Sequence, residues 1–248
     1  MDATLNEPHY HRVAHIMLSL RRNIEKLRQY YEGVKVVATN AEALHPRFFP
    51  SARAYRDKEN KIVEFKYTTP LELDSTCVTF LARTTSGPLK DVVIKFVQRY
   101  GEEAHSLLAG ENLAPQLLYH GKIGVLEGSP SYGHLRMVVM EYIDGETFDK
   151  AKQIPSNWVD QVRHALEVLH SHGYVFGDLR QPNIMVTRNN DIKLIDFDWA
   201  GTQQESRYPL LISPNLEWPA GVGVLSLMDA SHDDDMLNRL IQSKQSSQ

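Results

Sequence analysis

The chain has a single cysteine, no long apolar run and no surplus of basic charge, and each shortage excludes something. Its one cysteine, Cys77, rules out an internal disulfide framework and a cysteine-rich zinc site. Lysine and arginine number 27 against 31 acidic residues, a net charge of -4. Without a basic excess to displace counterions from phosphates, no nucleic acid is expected as a partner. No apolar stretch approaches the ~20 residues that cross a bilayer, so no membrane is expected as a partner either. The opening MDATLNEPHYHR lacks the basic start and apolar core of a secretory signal. The expected location is therefore cytoplasmic or nuclear, and not secreted. There is no G-x-S-x-G string, and no Ser-His-Asp arrangement can be read. His9, His11 and His15 have no carboxylate or cysteine beside them at metal-binding spacing, and read as a solvated helix start.

What is present is an ordinary globular composition over 248 residues, 42% hydrophobic and 23% charged, enough for two lobes around a cleft. Residues 12–32 carry Val13, Ile16, Met17, Leu20, Ile24, Leu27 and Tyr31 on one helical face. Arg21, Arg22, Lys26 and Arg28 lie largely off it. A membrane-surface helix is one reading of this stripe; a helix packed on the body of the protein is the plainer one. After a loop-like stretch over 40–60, the period changes to two. Ile62–Tyr67, Cys77–Ala82 and Val92–Val97 read as strands, with a turn around Pro70–Ser75. Glu102–Ala109 reads as a short helix and Arg136–Tyr142 as a strongly apolar strand. Then Asn157–His172 is helical with a stop at Gly173, Ile184–Val186 and Ile192–Ile195 are short strands, and a last helix lies near Asp233–Ile241. The order predicts an α+β molecule: a helical extension over 1–55, a small β-rich lobe over 56–143 and a shortened, mainly helical lobe over 144–248.

The informative segment is YVFGDLRQPNIMVTRNNDIKLIDFDWA, residues 174–200. It sets Asp178 and Asn183 on a loop after a helix and Asp196 just after a strand. Phosphoryl transfer asks for a positioned metal ion, neutralised phosphate charge and an oriented nucleophile. Magnesium takes oxygen ligands from one or two side chains and completes its shell with phosphate and water. An Asn and an Asp brought together by this loop–strand–strand unit supply such ligands, and a second Asp is left to orient a hydroxyl.

D-L-R-Q-P-N followed thirteen residues later by I-D-F-D resembles the catalytic and metal-binding loops of protein kinases and their small-molecule kinase relatives. The resemblance implies a two-lobed protein-kinase-like fold that uses ATP and Mg. It nominates Asp178 as catalytic base, Arg180 as a phosphate contact, and Asn183 and Asp196 as metal ligands. V-V-I-K-F resembles the strand whose lysine grips the nucleotide phosphates, which nominates Lys95; its expected partner is Glu103, then Glu102, then Glu111. M-E-Y-I-D-G resembles the hinge that meets adenine, with Met140 as gatekeeper and Glu141 and Ile143 offering backbone groups. The RYGEEAHSLLA and ENLAPQL segments are similar to those of kinase-like proteins found in fungi.

Four features depart from the family pattern. The turn PLELDST has no glycine with which to cover phosphates. Phe176 and Gly177 stand where His and Arg are usual. Asp198 follows Phe197 in place of glycine, and reads either as a further acidic metal neighbour or as a surface carboxylate. Only about fifty residues follow Asp196, with no A-P-E string. In that stretch Tyr208, Trp218 or the Asp233–Asp235 cluster could contact an acceptor, although an acidic triplet more often marks a solvated helix start. The implied activity is transfer of the ATP γ-phosphate to a hydroxyl of an unidentified protein Ser/Thr or small-molecule acceptor. The alternative is a pseudokinase, an ATP-binding interaction module without transfer.

Overall fold

The computed structural model describes residues 7–33, 49–72, 78–126, 128 and 132–245. The chain forms two compact units, Met1–Phe48 and Phe49–Gln248. In the first, helix α1 spans Glu7–Glu32. Its apolar stripe is exposed along its length: Val13, Met17, Leu20, Ile24, Leu27 and Tyr31 all stand in the open.

The second unit is an α+β fold of two lobes. Its first lobe is an antiparallel sheet of β1 (Ala54–Arg56), β2 (Ile62–Pro70), β3 (Thr79–Thr84), β4 (Asp91–Val97), β5 (Leu117–Lys122) and β6 (Arg136–Glu141), in the order β1-β2-β3-β4-β6-β5. Strand alternation splits its side chains cleanly. Val92 and Ile94 join Phe65, Phe80, Ala82 and Val139 in one apolar cluster. Val93 and Val97 turn the other way, with Val138 and Met140. Lys95 shares that second face, opposite Val138 in the register of β4 and β6. The sheet begins ahead of residue 56, since β1 pairs with β2 from Ala54 onward.

Helix α2 (Glu102–Gly110) follows β4 and packs into the core of the second lobe through Ala104, Leu108 and Ala109. That lobe is built on α3 (Trp158–Ser171) and α4 (Ala230–Gln245). Val162, Ala165, Leu166 and Leu169 form the buried face of α3, as their spacing predicts. The lobe also holds two small sheets. One orders β10 (Ile192–Leu194), β9 (Ile184–Thr187) and β7 (Gly145–Thr147); the other pairs β8 (Tyr174–Val175) with β11 (Gly201–Thr202). Strand β3 starts at Thr79, two residues after the predicted start; Cys77 itself and most of the PLELDST turn fall outside the described residues. No helix among the described residues is long and apolar enough to cross a membrane.

Candidate active site

Gly173, at φ 78°, turns the chain out of α3 into β8 and the loop that carries Asp178. Gly177 is required there: its φ is +80°, and a Cβ would lie 2.2 Å from the Met228 Cε. The loop is pinned from below by Asp233, which is fully buried in the first turns of α4. Its carboxylate accepts the Phe176 N–H at 2.7 Å and the Gly177 N–H at 2.8 Å, and is 3.0 Å from the His170 Nε2. Buried amides need such partners, and a charged acceptor is a strong one. Two of the candidate acceptor contacts are thereby corrected. Asp233 is a buried anchor, while Asp234 and Asp235 form the solvated part of the triplet. Tyr208 is also fully buried, its hydroxyl 3.1 Å from the His232 Nδ1.

Asp178 lies next to this anchor with only 4% of its surface exposed. A 3-10 turn over Gln181–Asn183 brings the chain back on itself. The Asn183 Nδ2 donates to the Asp178 carbonyl and to its Oδ2, both at 2.9 Å. With its N–H groups turned to Asp178, the amide has its oxygen to offer a cation. Arg180 forks onto the same carboxylate, Nε to Oδ1 at 2.6 Å and a terminal nitrogen to Oδ2 at 2.9 Å. Burial raises the Asp178 pKa above the ordinary carboxylate range, against the pull of Arg180.

The β9–β10 hairpin delivers the second acid. The Ile195 N–H bonds to the Asn183 carbonyl at 2.9 Å, fixing the distance between the two loops. Asp196 then adopts φ +68°, a left-handed conformation that a non-glycine residue seldom holds without a reason. Its Oδ1 accepts a hydrogen bond from the Lys95 ammonium at 2.7 Å, and the Asp198 Oδ1 lies 2.8 Å from the same nitrogen. Burial alone would depress the Lys95 pKa, but the two carboxylates outweigh it and raise it. Burial likewise disfavours the Asp196 anion, and Lys95 reverses this and lowers its pKa. Asp198 loses that competition: burial, then the Asp196 charge, push it up to about 7. Asp178 thus pairs with Arg180 and Asp196 with Lys95, and Asp198 crowds the second pair. Among the described residues no three His, Cys, Asp or Glu side chains cluster as a metal cage.

These groups open onto a cavity of about 580 Å³ lined by Lys95, Met140, Glu141, Ile143, Arg180, Asn183 and Asp196 among others. Its size is that of a small-ligand site. Leu71 and Glu72 contribute from the end of β2. The Glu141 N–H bonds to the Gln116 carbonyl at 2.9 Å, so what Glu141 has left to offer an occupant is its carbonyl.

The expected partner of Lys95 is not where the sequence reading put it. Glu103 is exposed, as are Glu102, which pairs with His120 at 2.7 Å, and Glu111. The reason is the docking of α2. His105 stacks on Phe197 with ring centres 4.5 Å apart, and Phe197 meets Phe176 edge-on at 5.3 Å. His105 also bonds to the Tyr100 hydroxyl and donates from Nε2 to the Pro115 carbonyl, and burial lowers its pKa to about 4, so the ring is neutral. With His105 facing inward, Glu102 and Glu103 are turned to solvent, and the ammonium finds its charges on Asp196 and Asp198. Phe176 is the buried packing residue that its chemistry predicts.

A second cavity, about 450 Å³, is lined largely by apolar groups, including Leu179, Pro182, Trp218, Met236 and Leu240. Arg180 and Pro182 line both cavities.

Residues 75–214, more than half of the chain, match the sequence profile described as the protein kinase domain. An Aurora kinase of Candida albicans is 37% identical over 71 residues, 25% of this chain and 13% of its own length. A probable cAMP-dependent protein kinase catalytic subunit of Encephalitozoon cuniculi is 24% identical over 172 residues, 64% of this chain and 53% of its own. The serine/threonine-protein kinase PknB of Mycolicibacterium smegmatis is 29% identical over 110 residues, 41% of this chain and 17% of its own. The matched parts thus span between 13% and 53% of the length of these relatives.

Proposed function

The chain belongs to the protein kinase domain family, and we propose that it is an ATP- and magnesium-dependent phosphotransferase acting on a hydroxyl acceptor. One observation carries the reading: Lys95, Asn183 and Asp196 line one cavity although 101 residues separate the first from the last, and Asp178 is hydrogen-bonded to Asn183 beside it. Magnesium, when bound with ATP, supplies positive charge across the phosphates that the protein does not have to provide. Asn183, through its amide oxygen, and Asp196, through its carboxylate, are the residues that would hold it. Lys95 neutralises nucleotide phosphate charge from the sheet side of the cavity. Asp178 orients the acceptor hydroxyl and takes its proton as the oxygen attacks the γ-phosphorus and the bond to the ADP oxygen breaks. Both of its carboxylate oxygens are covered by Arg180 and Asn183. Arg180 therefore leaves Asp178 for the incoming phosphate as the acceptor arrives. Since the second cavity shares Arg180 and Pro182 with the first, the acceptor enters from that side.

The test is transfer of label from γ-labelled ATP into a mixed lysate, with protein and small-molecule products separated. Asp178→Asn should lower the rate at least ~100-fold, the lower end for a general base. A variant that turns over like the wild type removes Asp178 from this role. The second reading, a nucleotide-binding module without transfer, is favoured by one feature: Lys95 is held by acidic side chains of the metal-binding loop and by no helix glutamate. Magnesium-dependent ATP binding with no labelled product in either fraction would establish that reading instead.

A further inference from the structure

Seven apolar residues of helix α1 recur at alternating steps of three and four, Tyr10, Val13, Met17, Leu20, Ile24, Leu27 and Tyr31, while Ile16, Leu18 and Tyr30 lie off that series. This is a seven-residue repeat sustained over three heptads, with Tyr10, Met17, Ile24 and Tyr31 at its a positions and Val13, Leu20 and Leu27 at d. Every one of the seven is between 43% and 68% exposed. The far side of the helix, the f positions, holds His15, Arg22 and Gln29, all polar. We propose that this face is a dimerisation seam, occupied by the same helix of a second copy of this chain in a parallel two-stranded coiled coil.

Residue type and charge select that occupant. A β-branched residue at a with leucine at d, here Ile24 between Leu20 and Leu27, favours two parallel strands. The flanking e positions hold Ala14, Arg21 and Arg28, and the g positions Ile16, Asn23 and Tyr30. In a parallel pair e faces g of the other strand, so Arg21 meets Ile16 and Arg28 meets Asn23, and no like charges oppose each other. An antiparallel pair sets e against e and brings the arginines of both strands together, which costs energy. Arg28 is already bound within its own helix to Glu32, at 3.0 Å. The helix holds five basic residues, Arg12, Arg21, Arg22, Lys26 and Arg28, with Glu25 and Glu32 among them. The a and d positions are apolar without exception from Tyr10 to Tyr31, a packing signal that a membrane surface does not require.

The experiment uses the full chain, with Cys77→Ser removing the one native thiol. Sedimentation equilibrium should give twice the monomer mass. Leu27→Cys in that background should form a disulfide-linked dimer under mild oxidation, because a parallel pair sets residue 27 beside its own copy. Arg22→Cys, on the outer face, should not. Ile24→Glu should return the chain to monomer while leaving ATP binding unchanged. A monomeric mass at all concentrations overturns the proposal, as does a dimer whose Leu27→Cys form fails to cross-link or that persists in Ile24→Glu. Sedimentation of the monomer with anionic phospholipid vesicles, blocked by Ile24→Glu, overturns it in favour of a membrane surface.

Discussion

Two acids, the half-buried Asp198 and the buried Asp233, do much to shape the site at the scale of single residues. Asp198 lies 2.8 Å from the Lys95 ammonium and stands in for the glutamate that α2 turns to solvent. Asp198→Asn removes one of two charges that hold the lysine. We expect the KM for ATP to rise about tenfold, the loss of one charge-assisted contact of roughly 1.5 kcal/mol, and Asp198→Glu to recover most of it. Steady-state kinetics in which neither substitution moves the KM would remove Asp198 from that role. Asp233 acts on the loop from below and on His170 beside it. Burial tends to depress the His170 pKa, but Asp233, helped by Asp234 and Asp229, more than offsets this and raises it. A histidine whose pKa rises on folding stabilises the fold fully below its unfolded value, near ~6.5, and the gain is lost as the pH climbs through the folded value. The melting temperature of the wild type should therefore exceed that of His170→Gln most on the acid side, with the gap shrinking above neutrality. A gap that does not change with pH contradicts this account.

The same residues show where the sequence was legible. Asp178, Asn183 and Asp196 lie within nineteen consecutive positions, on a loop and a hairpin whose local geometry is short-range, so their spacing alone brings them together. Lys95 could be found because a period-two strand fixes which face it occupies. Its partner could not, because the face that α2 presents depends on His105 stacking against Phe197, a contact between residues far apart in the chain. Asp233 was hidden for a related reason: an acidic triplet looks solvated until the loop that buries its first member, 56 and 57 residues away, is in place.

At the scale of elements, the joint between β4 and α2 is a tight contact near the site. The Gly101 N–H bonds to the Phe197 carbonyl at 2.9 Å, next to Asp196. A Cβ at Gly101 would fall 2.6 Å from the Ala200 Cβ and 2.7 Å from the Ala200 carbonyl oxygen. Backbone and a short side chain cannot swing aside, so the helix or the loop has to move. Gly101→Ala is expected to cost about 1–3 kcal/mol, in the range of overpacked cores, and to lower activity with it. An unchanged urea midpoint would show that the joint has slack. The longer elements followed from period and composition: α3, α4, β2, β4 and β6 lie within a few residues of their predicted bounds. The strands that were not foreseen are two to six residues long. β7, β8 and β11 exist through pairing alone, and β5, LLYHGK, has a glycine and a histidine where alternation would be read.

For the whole molecule, the antiparallel sheet supplies one wall of the cavity and the α3–α4 lobe the other, and the function rests on both acting on one ligand. Lys95 reaches from the first and Asn183 and Asp196 from the second. Magnesium should therefore govern how tightly ATP is held, through Asp196 above all. The direct test is calorimetric titration of the full chain with ATP, with and without magnesium, in the wild type and in Asp196→Ala. The account predicts binding that strengthens with magnesium in the wild type and loses that dependence in the variant. Equal affinity with and without the ion in the wild type, or an intact magnesium effect in Asp196→Ala, would contradict it.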